Sequence, residues 1–187
     1  MIDLPEHNIL VSPIGDLDSS LIDQIMKGVS DCFRYPVIKK SLIEDMEFAF
    51  DSLREQYNST LLLEKLSPMI PSNTIKVLAV CDRDLFIPIL THVYGEAQLN
   101  GRVSIISIYR LKDNLPLING QSVFFQRVIK EAVHELGHTF NIRHCPDKSC
   151  AMHYCHSIGD VDNKSNQLCR YCDTLLADAK KKAGPSL

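Results

Sequence analysis

Between Asn8 and Val80, short apolar runs alternate with stretches in which hydrophobic residues recur every three or four positions. Asn8 to Val11 reads as a short apolar strand. Asp18-Ser19-Ser20 then opens a helix carrying Leu21, Ile22, Ile25, Met26 and Val29 at helical spacing. Val37-Ile38 suggests a second strand, and a helix is expected from about Gln56 to Leu66, ahead of Pro68. Ile75 to Val80 is a β-branched run of the length of a buried strand. Such alternation predicts an α/β fold: a mixed, mostly parallel twisted sheet covered by helices and joined by right-handed crossovers. From His92 to Arg110 the pattern changes, because Gly95, Asn100 and Gly101 punctuate two β-like stretches, of which Val103 to Ile108 is the stronger. One antiparallel edge strand is expected here. Asn119-Gly120-Gln121-Ser122 leads into a further helix with Ser122 as its cap, and Val123, Phe124, Val128, Ile129, Ala132, Val133 and Leu136 mark its buried side. A last helix should run from Cys169 to about Lys182, closed by Gly184-Pro185.

That long helix carries His134-Glu135-Leu136-Gly137-His138. Residues four apart share a face at 3.6 residues per turn, so both imidazoles can reach one ion with Glu135 beside them. His144 follows six residues after His138. On a continuing helix it would sit about 240° around from His138, so the chain must turn back between them. Three histidines leave tetrahedral zinc one open position, the arrangement of a hydrolytic metal. Isolated His-x-x-x-His pairs are also common on helix surfaces. The third histidine and the methionine eight residues beyond it, Met152, favour the metal.

Cys145, Cys150, Cys169 and Cys172 form a C-x4-C pair, eighteen residues, and a C-x2-C pair, the pattern of a closed structural zinc site with four thiolate ligands. Disulfides and a Cys169/Cys172 redox pair are the competing readings. The start, Met1 to His7, shows no secretory signal, which points to a reducing, cytoplasmic setting and to metal. Cys32, Cys81 and Cys155 are expected as buried free thiols, and His153 and His156 as solvated loop residues.

Together these segments resemble the archaemetzincin family of metzincin-like metallopeptidases: H-E-x-x-H, a third histidine followed by cysteine, C-x4-C-x-M and a distal C-x2-C. The likeness runs more weakly back through Arg54-Glu55-Gln56-Tyr57-Asn58-Ser59 and Asp82-Arg83-Asp84-Leu85-Phe86 to Ser107-Ile108-Tyr109-Arg110-Leu111. Asn141 departs from the glycine with which the wider metzincin pattern makes the turn before the third histidine; asparagine is the next best residue at a left-handed cap, so the resemblance implies positive φ there. The resemblance implies a zinc peptidase with His134, His138 and His144 on catalytic zinc and Glu135 as general base and acid. It also implies a structural zinc on the four cysteines, and a Met-turn placing Met152 beneath the histidines. Met152-His153-Tyr154 has the spacing with which the astacin and serralysin branches supply a tyrosine to the metal or the oxyanion; an ordinary half-buried tyrosine is the alternative. In metzincins the edge strand holds extended substrate, which makes Glu96 to Leu99 candidates for contact with peptide backbone.

Composition adds bounds. The 187 residues are 45% hydrophobic, enough for a core without staples. The expectation is one domain over 1–187, with sheet and active-site helix in 1–140 and third histidine, Met-turn and four-cysteine site in 141–187. A net charge of −3 gives no support to nucleic-acid binding, and Lys180-Lys181-Lys182 reads as a solvated helix end. No apolar run approaches the roughly 20 residues needed to cross a bilayer. The reading is a cytoplasmic, monomeric zinc metallopeptidase with two zinc ions, acting on peptide or protein. The alternative is a zinc-stabilised peptide-binding or scaffold protein, favoured by the absence of a restraining prodomain and disfavoured by Glu135.

Overall fold

The computed structural model describes residues 7–182, so the expected Gly184-Pro185 stop lies outside the described residues. In chain order the strands are β1 (Asn8–Pro13), β2 (Val37–Lys39), β3 (Phe50–Asp51), β4 (Gln56–Asn58), β5 (Thr74–Cys81), β6 (Leu85–Phe86), β7 (Gly95–Ala97) and β8 (Val103–Ser107). The helices are α1 (Ser19–Phe33), α2 (Ser59–Leu66), α3 (Gly120–Thr139), α4 (Ile158–Asn163) and α5 (Arg170–Lys182). The main sheet has the order β2-β1-β5-β8-β7; its first four strands are parallel and β7 runs antiparallel on the edge.

Strand side chains alternate in direction. Ile9, Val11, Leu78, Val80 and Ile106 therefore face α1 and α3, while Leu10, Val77, Ala79, Val103 and Ile105 face Leu62, Leu63 and Leu66 of α2. Both faces of the parallel strands are covered, which is why β5 reads as a continuous apolar run. Helix α1 begins where expected, with the Asp18 carboxylate accepting from the Leu21 amide at 3.0 Å.

Four expectations change. Gln56 to Asn58 is a strand, because it pairs with β3 and β6 in a small three-stranded sheet; α2 starts only at Ser59, where Asn58 accepts from Thr60 and Leu61. Ser122 lies inside α3, whose cap is Asn119 with φ 63°. Cys155 is only half-buried, whereas Cys32 and Cys81 are buried. The Lys180 ammonium bonds the Phe33 carbonyl and stands 4.7 Å over the Tyr35 ring, so that end of the lysine run packs instead of being solvated.

Candidate metal centres and active site

Helix α3 stops in the way a return of the chain requires. Asn141 has φ 64°, the Ile142 amide bonds the Gly137 carbonyl at 3.1 Å, and the Asn141 amide bonds the His138 carbonyl at 2.9 Å. This is a Schellman motif in which asparagine takes the left-handed position. The reversal brings the His144 ring to 4.9 Å from His138 and 5.3 Å from His134, centroid to centroid.

Backbone carbonyls set the direction of two imidazoles. His134 donates from Nδ1 to Ala151 O at 2.8 Å, and His138 from Nδ1 to Ile142 O at 2.7 Å. A carbonyl only accepts, so each Nδ1 carries the proton and each Nε2 presents a lone pair. Those two Nε2 atoms stand 3.2 Å apart. Facing lone pairs at that distance repel unless a cation lies between them. Tetrahedral zinc with Zn–N near 2.05 Å would separate two such nitrogens by roughly 3.3 Å. One ligand atom from each of His134, His138 and His144 lies within 4.8 Å of the others. Burial, then nearby Lys164, holds His134 well below the usual imidazole range; burial holds His138 down to about 4, and His144 below its ordinary value. All three are neutral near pH 7, the form that ligates metal.

The sulfurs of Cys145, Cys150, Cys169 and Cys172 likewise lie within 4.8 Å of one another, and Cys145 and Cys169 are 3.8 Å apart. That is far beyond the roughly 2.05 Å of a disulfide. It is close to the roughly 3.8 Å expected between thiolates on tetrahedral zinc. Burial, then Cys150, pushes the Cys172 thiol up, whereas the backbone amide of Cys172 helps hold Cys169 down. Four sulfurs this close can all be thiolates only with a cation between them. Both donor sets fit zinc.

Glu135 is buried against the edge strand. A Cβ on Gly95 would lie 2.6 Å from Glu135 Cγ, so glycine is what lets the carboxylate side of α3 reach β7. Burial, then Glu131, pushes the Glu135 carboxyl well above the usual carboxylate range, with Lys164 opposing. Gly137 plays a matching part on the other side, where the buried Met152 thioether packs onto its bare backbone. Glu96 points away from this face: its carboxylate accepts from Ser59 at 2.5 Å and Thr60 at 3.0 Å, at the start of α2.

A cavity of about 310 Å³ opens onto the three histidines and Glu135. Ile87, Leu90 and Val93 give it an apolar lining, to which Tyr154, Cys155, His156, Glu131 and Lys164 add polar groups. The Tyr154 ring packs 4.8 Å from His144, and its hydroxyl makes no hydrogen bond among the described residues. His153 is half-buried and donates to Cys145 O at 2.9 Å, which corrects the expectation of a solvated loop. His156 is exposed, as expected. Sequence reasoning overlooked Gly95, Glu131 and Lys164. The first two had a signal, a glycine interrupting the edge strand and a carboxylate one helical turn before Glu135; Lys164 had none.

A helix placing two histidines at a cavity wall, a third folded back beside them and a four-thiol cluster next to it define a zinc metallopeptidase. The model of peptidase family M54 matches residues 19–178, and the chain belongs to that family. An archaemetzincin of Methanopyrus kandleri is 37% identical over 166 residues, covering 89% of this chain and 91% of its own; that of Methanocaldococcus jannaschii is 34% identical over 171 residues, covering 91% and 93%. The crystal structure of the Methanopyrus kandleri archaemetzincin superimposes with a TM-score of 0.84 at 33% identity, over 94% of this chain and 96% of that one. That of the Archaeoglobus fulgidus archaemetzincin complexed with malonate gives 0.76 at 30%, over 90% and 99%. The fold expectation, a mostly parallel sheet with an antiparallel edge, is borne out, as is a zinc metallopeptidase acting on peptide or protein.

Proposed function

We propose that the chain holds two zinc ions, one on His134, His138 and His144 and one on Cys145, Cys150, Cys169 and Cys172, and that Glu135 is the general base and acid of peptide-bond hydrolysis. The observation that carries this reading is the convergence of neutral histidine nitrogens within the cavity that Glu135 also lines. Zinc at such a site supplies Lewis acidity, making water a nucleophile near neutral pH and polarising the scissile carbonyl. Glu135 takes the water's proton and returns it to the leaving amine; the affinity of its carboxyl for protons, raised by burial and then by Glu131, suits that task. Tyr154, whose ring packs against His144 and whose hydroxyl has no hydrogen-bond partner among the described residues, donates to the developing oxyanion. Met152 serves as the apolar floor of a Met-turn, and the open edge of β7 holds substrate backbone. Among the described residues no helix is long and apolar enough to cross a membrane. A monomeric single domain in a reducing, cytoplasmic setting, with neither nucleic acid nor membrane as partner, completes the proposal, supported by seven unpaired cysteines.

Elemental zinc analysis of wild type, Glu135→Ala and His138→Ala, with cleavage of a mixed peptide library, tests it. The expected result is two zincs in wild type, two without cleavage in Glu135→Ala, and one in His138→Ala. Two zincs with no wild-type cleavage would transfer the site to a peptide-binding protein. A single zinc indifferent to His138→Ala would remove the catalytic centre.

A further inference from the structure

Glu131 stands four residues before Glu135, on the same face of α3 and one helical turn further along the cavity. Lys164, just beyond α4, meets it with Nζ 2.8 Å from Oε1; the two side chains are 4% and 0% exposed. Both line the cavity shared by the three histidines, which is also lined by the apolar trio Ile87, Leu90 and Val93. Apolar sides with a few placed polar groups at depth are the make-up of a pocket that sorts side chains.

The pair's hydrogen-bonding capacity is not used up. An ammonium has three donors and a carboxylate about four acceptor sites. The Glu131 side chain makes no contact of this kind among the described residues besides the ion pair with Lys164, and its buried Oε1 has no hydrogen-bond partner. Lys164 otherwise meets His134 Nδ1 at 3.4 Å, a nitrogen already committed to Ala151, and the Cys155 thiol. Buried, unsaturated polar groups are costly to leave dry, so a substrate group that completes them is favoured over one that only covers them.

We propose that Glu131 and Lys164 form a specificity-determining pair that selects a carboxamide side chain, glutamine or asparagine, next to the scissile bond; the proposal rests on the peptidase reading above. A carboxylate side chain would face Glu131 and Glu135, and an ammonium would face Lys164 and the metal. An apolar chain of equal length would strand both members of the pair. A carboxamide donates its N–H to Glu131 and accepts from Lys164.

The test uses the zinc-loaded full chain and peptides identical except for Gln, Met, Glu or Lys at the residue on either side of the cleaved bond in turn. At one of the two positions kcat/KM should favour Gln over each of the others by at least about tenfold. In the Glu131→Leu/Lys164→Met double variant, which keeps volume but removes the pair, the order of Gln and Met should reverse. Calorimetric binding of the same peptides to Glu135→Ala reads the preference independently of turnover. Equal kcat/KM for Gln and Met in wild type, or a ratio unchanged in a folded double variant, overturns the inference. If the double variant does not fold, the wild-type series and the binding measurement decide alone. Tighter binding of the Gln peptide with no cleavage of any peptide would sink the peptidase reading and leave the pair's selectivity standing.

Discussion

Substituting Gly95 by alanine separates the carboxylate's role from that of the metal ligands. The new Cβ would lie 2.6 Å from Glu135 Cγ and 2.6 Å from the Ile105 carbonyl oxygen, against 3.4 Å for ordinary contact. The carbonyl belongs to β8, whose neighbours on both sides fix it, so the relief must come from Glu135 or from β7 peeling outward. Either way the carboxylate moves by about 0.8 Å relative to the edge strand. Overpacking of this kind costs about 1–3 kcal/mol in stability. Misplacing a catalytic group by about 1 Å costs about 100-fold in rate. His134 and His138 are held by the Ala151 and Ile142 carbonyls, neither of which a Cβ on Gly95 would touch, so the metal site should stay intact. The expected result for Gly95→Ala is therefore zinc content equal to wild type, a thermal midpoint lower by several degrees, and kcat/KM down by one to two orders of magnitude. Wild-type kcat/KM in a folded Gly95→Ala would refute the placement of Glu135 against the edge strand as the source of its activity.

Gly137→Ala gains about 1 kcal/mol of helix propensity but drives a Cβ onto the Met152 sulfur, to within 2.9 Å of its methyl group, so a net loss of up to about 2 kcal/mol is expected in denaturant titration; in a Met152→Ala background the same change should be neutral or stabilising. Cys169→Ser should lower zinc content by one per chain and destabilise by several kcal/mol, with cleavage falling alongside because Cys145 adjoins His144; undiminished zinc content would remove the four-thiolate assignment. Burial, then Arg102, holds the Lys76 ammonium down to about 8 from an ordinary 10.5. The unfolded chain thus binds more protons between those values, and stability referred to Lys76→Met should improve as pH rises from about 8 to 10.5, by about 2 kcal/mol after allowance for partial exposure. A flat difference between wild type and Lys76→Met across that window would show that the carbonyls of Gly101 and Thr139, bonded at 2.6 and 2.7 Å, hold the charged form instead.

Features governed by short-range rules were legible in the chain. Spacing of four and six placed His134, His138 and His144, and the likeness to the metzincin pattern marked Asn141 as the turning residue, whose φ is 64°. Apolar periodicity gave α1, β5 and α3 because each buries a continuous face. What escaped depends on partners distant in sequence. Gln56-Tyr57-Asn58 is a strand only because Phe50, Asp51, Leu85 and Phe86 offer edges to it; by itself it continues the helical pattern of α2. Ser122 looked like a cap since the left-handed Asn119 that starts α3 has no side-chain signature. Lys164 sits in a polar stretch that nothing local distinguishes, and it matters only because α4 delivers it under the cavity.

The small sheet and the cysteine cluster have one task between them, which is to hold the two walls of the cavity that α3 cannot supply. On one side the Gln56 amide donates to Thr91 O at 3.0 Å and Asp84 Oδ2 at 2.9 Å, while Arg54 donates to Leu90 O at 3.1 Å. Asp84 is itself gripped twice by Arg110 at 2.6 Å. The segment from Ile87 to Val93, which has little regular structure, is thereby fixed beside the histidines. On the other side His144 is exposed and lies on a loop, so helix geometry does not hold it. The Schellman turn at Asn141 fixes the loop three residues before it. Cys145 fixes it one residue after, through its place in the thiol cluster and through the Met152 carbonyl at 2.9 Å. Both apolar faces of the sheet are already buried, so burial of the sheet does not account for where the staple sits. Its position is explained by what it restrains: a loop ligand loses affinity for metal in proportion to its freedom, and the cluster removes that freedom at the one histidine the helix does not orient.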